Sequence, residues 1–380
     1  MITEELDPIQ VSSTRLPTLT MFIRNAWYVA ATPDEIDPLG AGQPLARQVC
    51  GERMVLFRGP SGAISALEDF CPHRGAPLSL GRVCDGELVC GYHGLRMGYD
   101  GRTVAMPGQR VRGFPAIRAW PVAEYAGFVW VWPGDPALAS PEHLPVLPWA
   151  DGAGVKPGWA YGGGHYEIAC EWRLMIDNLM DLTHETYVHA DSIGQPEIDE
   201  TPSQTRMVGD EVITSRTMHA IQAPPFWQQA LAMNGLPTDQ PVDRWQVCHF
   251  TPPSHVMIEV GVALAGRGGI DASDDAKAAT IVVDFITPET AGSIHYFWGM
   301  ARRFRADDAA LTARIREGQG RIFSEDRAML EQQQRNLAAH PTRDLLKLNI
   351  DSGGVMSRRL IDRRLAAEAA AASAQIPAAA

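Results

Sequence analysis

Residues 71–94 read Cys71-Pro-His-Arg-Gly-Ala-Pro-Leu-Ser-Leu-Gly-Arg-Val-Cys-Asp-Gly-Glu-Leu-Val-Cys90-Gly-Tyr-His-Gly94. Each end of this stretch offers one thiol and one imidazole: Cys71 with His73, and Cys90 with His93. Two thiolates on one iron and two imidazoles on the other are the ligand set of a Rieske [2Fe–2S] cluster. Gly75, Gly91 and Gly94 permit the tight turns that bring four ligands together, and Pro72 and Pro77 stiffen the first loop. A structural zinc site is the competing reading. Zinc fingers, however, pair Cys with Cys and His with His, rather than mixing them in each block.

Outward from this stretch, short β-rich runs at 54–58, 63–69, 88–92 and 127–132 are separated by Gly51, Gly59-Pro60 and Asp85-Gly86. They predict an all-β unit over 21–135 that houses the cluster. Residues 1–20 are polar and irregular and read as a disordered extension. Their acidic front and lack of an apolar core are not those of a signal peptide, so a cytoplasmic location is expected. Prolines at 133, 136, 141, 145, 148 and 157 mark a linker over 136–160. Strand-like runs follow at 164–170, 211–218, 255–264, 280–287 and 293–302, with helices around 171–190 and 306–338. This pattern predicts an α+β unit over 161–365, an antiparallel sheet with helices against it. The Ala-rich tail, 366–380, is expected to extend a helix only briefly.

A net charge of −12 provides no basic stripe for phosphates, so nucleic acid is not an expected partner. No run of eighteen apolar residues is present, so no membrane span is expected. Six cysteines in 380 residues are too few for a disulfide framework. Cys50, Cys84, Cys170 and Cys248 lack a matching histidine and are expected to be small core residues. Gly162-Gly-Gly164 is a turn-like run without the strand–GxGxxG–helix context of a dinucleotide site. The chain therefore needs a partner to collect electrons from a nicotinamide.

A second constellation lies in Arg173-Leu-Met-Ile-Asp-Asn178-Leu-Met-Asp181-Leu-Thr-His184-Glu-Thr-Tyr-Val-His189. Two histidines and one carboxylate on one face make a non-haem Fe(II) site with positions left free for oxygen. On an unbroken helix His184 and His189 would point about 140° apart, so the helix must bulge or end between them. The third ligand has to come from elsewhere. In 321–335, Ile322, Met329 and Leu330 define an apolar stripe with Asp326 near its middle and Glu325 at its margin. An inward-facing carboxylate is costly unless paired or bound to a metal, which selects Asp326. A plain Rieske electron carrier would keep the first ligand set but have no use for His184 and His189.

Together these motifs resemble the Rieske non-haem iron oxygenases, on the vanillate O-demethylase branch. The similarity runs on through Ala223-Pro-Pro-Phe-Trp227, His295-Tyr-Phe-Trp-Gly299, Glu325-Asp326 and Leu346-Lys-Leu-Asn-Ile350, and is narrower around 223–227, 284–299 and 345–360. The resemblance implies His184, His189 and Asp326 as iron ligands, with Asn178 beside the iron. It implies that Asp181 bridges to a Rieske histidine, His93, of a neighbouring subunit in a head-to-tail homotrimer. A separate flavin/ferredoxin reductase is implied as the source of NADH electrons. The implied reaction is O2-dependent monooxygenation of the methoxy group of a small aromatic carboxylate; from vanillate it gives protocatechuate and formaldehyde. Alternatives are another methoxybenzoate or methyl-bearing aromatic acid, or a ring-dihydroxylating dioxygenase. Asp284 and His295 are candidate pocket residues by the same resemblance, and Arg244 and His219 are candidate cations for the carboxylate.

Overall fold

The computed structural model describes residues 21–40 and 42–374. The expected extension over 1–20 and the end of the tail lie outside the described residues. Two antiparallel sheets open the chain. One pairs Leu45–Val49, Glu52–Arg58, Ile64–Glu68 and Ala119–Trp120; the other pairs Tyr28–Ala31, Phe128–Val131 and Val122–Tyr125. Left-handed backbone at Cys50-Gly51 and at Ala126-Gly127 closes two-residue hairpins, whose twist matches that of the flanking strands. A finger of four short strands, from Arg82–Cys84 to Thr103–Ala105, projects from this unit and carries the 71–94 stretch.

The proline-rich segment makes only single turns, Pro136–Leu138 and Pro141–His143, and a small hairpin. It does more than link. Leu147 and Trp149 are buried beside Trp27 and Trp132, so the segment seals one edge of the core.

The second unit is built on seven antiparallel strands in the order Ala160–Ile168, Ser293–Arg302, Lys277–Thr290, His255–Leu264, Val242–Thr251, Glu211–Ile221, Gln204–Val208. Five correspond to the expected strands. Gln204–Val208 and Val242–Thr251 were not expected from pattern; in the second, Asp243, Arg244, Gln246 and His249 break up the apolar signal, as Gln204 and Arg206 do in the first. Both faces of the sheet centre are covered. Val282 and Ile286 point to the helices, while Val283 and Phe285 point to Val29, Phe128 and Trp130 of the first unit.

The helical layer differs from expectation at the site. The helix expected over 171–190 stops at Leu179; a 3-10 turn, Leu182–His184, and one α-turn, Glu185–Val188, follow. The long helix spans Ala309–Ala339, started by Asp308 accepting a hydrogen bond from the Leu311 N–H at 2.8 Å. Its buried stripe runs through Gln319, Ile322, Phe323, Asp326 and Leu330; Met329, expected on it, is exposed. A further helix, Ser352–Ala374, continues without a break through the expected boundary at Leu365. No helix among the described residues is long and apolar enough to cross a membrane.

Candidate functional site

The two loops of the finger are built alike. Cys71 N–H donates to the Ala76 carbonyl and Gly75 N–H to that of Cys71; Cys90 N–H donates to Leu95 and Gly94 N–H to Cys90. Gly75 and Gly94 hold φ of 70° and 74°, where a side chain is disfavoured. Both thiols are buried in the finger core, and the two imidazoles lie outside them with ring centroids 4.6 Å apart. Burial raises the Cys71 thiol, and the N–H groups of His73 and Arg74 aim at its sulfur and oppose that rise. Sulfur inside, nitrogen outside and N–H groups at the sulfur suit a cluster held at a protein tip. Cys50, Cys170 and Cys248 are buried as expected, but Cys84 is exposed, since it sits at a hairpin corner beside Asp85.

In the larger unit the structure brings His184, His189 and Asp326 together. One atom from each lies within 4.8 Å of the others. Asp326 Oδ1 is 3.4 Å from His184 Nε2 and 3.2 Å from His189 Nε2. Bonds of about 2.1 Å meeting at roughly 90–110° would place ligand atoms about 3.0–3.4 Å apart, so both distances suit a shared metal ion. The helix break solves the phase problem, because His184 ends a 3-10 turn and His189 lies just past one α-turn.

Each imidazole is steered through its other nitrogen. His184 Nδ1 donates to the Asp181 carbonyl at 2.7 Å, and His189 Nδ1 to Glu325 Oε2 at 2.6 Å. Burial opposes charge on His189, but hydrogen bonds to Asp326 and Glu325 outweigh it and hold its pKa at about 8. A bound cation would displace that proton. Asn178 Nδ2 donates to Asp326 Oδ1 at 3.1 Å, while its buried Oδ1 has no partner. Asp181 caps the 3-10 turn by accepting from the Thr183 N–H at 3.0 Å.

These groups face a cavity walled by Leu179, Phe226, Trp227, Val260, Val282 and Phe323. Arg244 borders it, but its guanidinium is engaged by Glu185 at 2.9 Å and Gln195 at 2.6 Å. His219 is exposed and paired with Asp243. Asp284 lies on the cavity face of its strand yet is wholly buried, accepting from Tyr296 OH at 2.6 Å; burial pushes its pKa up to about 8. His295 is away from the cavity, 3.2 Å from His165. Sequence reasoning missed Glu325 as a partner of His189; its half-exposed position made it look solvated.

Residues 168–367 match the vanillate O-demethylase oxygenase C-terminal domain family, and residues 26–122 the Rieske [2Fe-2S] domain family. The chain belongs to the vanillate O-demethylase oxygenase family. It is similar to a vanillate O-demethylase oxygenase subunit of Pseudomonas sp. (strain HR199 / DSM 7063), 66% identical over 94% of this chain and 98% of the relative. The dicamba O-demethylase oxygenase component of Stenotrophomonas maltophilia is 35% identical over 92% and 99%. Among solved structures, dicamba monooxygenase bound to 3,6-dichlorosalicylic acid superposes with a TM-score of 0.81 at 32% identity, over 92% and 99% of the two chains. This family member is thus a Rieske non-haem iron oxygenase, with a [2Fe–2S] domain and a His/His/Asp site for iron.

Proposed function

We propose that this oxygenase is the terminal component of an aromatic O-demethylase whose substrate is vanillate. Supporting this is one observation: His184, His189 and Asp326 converge on an apolar cavity in a chain that also carries the Cys71, His73, Cys90 and His93 loops. In this reading 21–135 is the Rieske unit, 136–160 the linker and 161–365 the catalytic unit, and the protein is cytoplasmic.

Cys71, His73, Cys90 and His93 would hold the cluster, and His184, His189 and Asp326 the Fe(II). Bound there, the cluster would relay single electrons and the Fe(II) would activate O2. The protein's own work is placement. Asn178 fixes the Asp326 carboxylate, and Asp181 and Glu325 fix the rings of His184 and His189. The apolar wall excludes water and presents the methoxy carbon of the ring to the metal side. Phe226, Trp227 and Ile322 also line an outer groove that adjoins the cavity. Asp181 would bridge to His93 of a neighbouring subunit in a homotrimer.

The overall balance is one O2, two electrons and two protons consumed per methoxy group. One oxygen atom enters the C–H bond and the other leaves as water. The resulting hemiacetal collapses to protocatechuate and formaldehyde. The electrons come from NADH through a separate flavin/ferredoxin reductase. The test is turnover with that reductase, NADH and a panel of methoxybenzoates. Formaldehyde in step with protocatechuate from vanillate is the expected result; a cis-diol product, or none from any member, would overturn the proposal.

A further inference from the structure

Between Met180 and Gln195 the backbone has little regular structure to keep the two histidines in place. Three buried side chains from neighbouring sheet strands reach across to it. Arg216 Nη2 donates to Thr183 Oγ1 at 2.8 Å, and its Nη1 to Gln246 Oε1 at 3.2 Å. Gln246 Nε2 and Arg244 Nη2 both donate to Glu185 Oε2, at 2.8 and 2.9 Å. Arg244 Nη1 continues to the Ile193 carbonyl at 3.1 Å and to Gln195 Oε1 at 2.6 Å.

Glu185 directly follows His184, and Ile193 and Gln195 lie just past His189. One guanidinium therefore ties down both sides of the ligand loop. Gly194 keeps the ends close, since a Cβ there would stand 2.4 Å from the Glu185 carbonyl oxygen. Arg244 and Glu185 are 2% and 5% exposed. A buried ion pair adds little net stability against an apolar replacement, but it fixes geometry strongly once formed.

We propose that Arg244, Glu185 and Gln246 form a clamp that sets the approach of His184 and His189 to Fe(II). They are positioning residues, and the inference rests on the reading that those histidines and Asp326 hold the iron. The test uses the full chain with its cluster intact, stripped of mononuclear iron and titrated with Fe(II). Arg244→Gln and Glu185→Gln should each bind Fe(II) about 10–100-fold more weakly. Each should also change the rhombicity of the electron paramagnetic resonance signal of the nitric oxide complex, with the cluster's visible spectrum unmoved. Arg302→Gln is the control. That arginine is equally buried but bonded to Thr312, Arg305 and Asp308, and its loss should shift neither readout.

Parent-like affinity and signal in both variants, or equal shifts in the control, would overturn the clamp. Should a single variant not accumulate, the Glu185→Gln/Arg244→Gln chain decides, because it removes both charges together. Weakened Fe(II) binding there supports the clamp, and parent-like binding overturns it. A parent that takes up no Fe(II) beyond its cluster would instead remove the iron reading, and the clamp with it.

Discussion

His189 has two nitrogens that can face a metal, and its neighbours choose between them. Glu325 takes Nδ1, which leaves Nε2 toward Asp326. Glu325→Ala should therefore weaken Fe(II) binding by about tenfold or more, roughly 1.4 kcal/mol, as removal of an outer hydrogen-bond partner does. Iron titration followed by chelation reads it; unchanged affinity would show that Asp326 alone orients the ring. Asp326→Ala should go further and abolish both mononuclear iron and product while the Rieske visible spectrum stays. Retained turnover in that variant would refute the ligand choice. Asp181→Ala should leave both iron centres loaded and stop coupled turnover, as read by iron content beside product formation. Of these three residues, Asp326 was legible because a carboxylate inside an apolar stripe is anomalous. Glu325 was not, because a margin carboxylate looks like any solvated one.

The helices are where local sequence misleads most. Gly353-Gly354 opens the helix Ser352–Ala374, although glycine is among the least favourable helix residues. The reason is contact. A Cβ on Gly353 would lie 2.5 Å from the Met180 carbonyl oxygen, and one on Gly354 would lie 2.7 Å from Asp177 Oδ1. Arg358 then bonds both oxygens of Asp177, holding this helix against Trp172–Leu179. Gly353→Ala should cost roughly 1–3 kcal/mol by overpacking. Because the strain falls on Met180, next to Asp181, it should also slow coupled turnover. Denaturant unfolding and a turnover assay check the two parts; a chain as stable and active as the parent would show that the helices separate freely. The strands were easier to read, since two-residue periodicity survives wherever one face meets apolar neighbours.

Across the whole molecule, the first unit is pressed against one face of the large sheet and the helices against the other. His255 sits in the first of these seams, with its ring edge-on to Trp130 and Phe285. Burial lowers its pKa to about 3, against a small opposing bond to Trp27. The folded protein thus keeps His255 neutral while an unfolded chain takes up a proton near 6.5. The stability this neutral ring contributes is present above about pH 6.5 and is lost as pH falls toward 3. The melting temperature should decline through that window, and His255→Phe should flatten the decline. An identical pH profile in the variant would place the acid sensitivity elsewhere.

The sequence by itself determined the chemistry: which thiols, imidazoles and carboxylates exist, and at what short spacings. Cys71, His73, Cys90 and His93 were readable because four ligands in two short loops carry their own pattern. The pairing of His184 with His189 was readable for the same reason. Only the tertiary structure decided which nitrogen each ring presents, that Arg244 is committed to Glu185, and that Glu325 serves His189. The Arg244–Glu185 and His189–Glu325 contacts join residues 59 and 136 positions apart, and at that range no local periodicity or turn preference constrains the partner; the His184 ring is set locally, by the Asp181 carbonyl three residues before it.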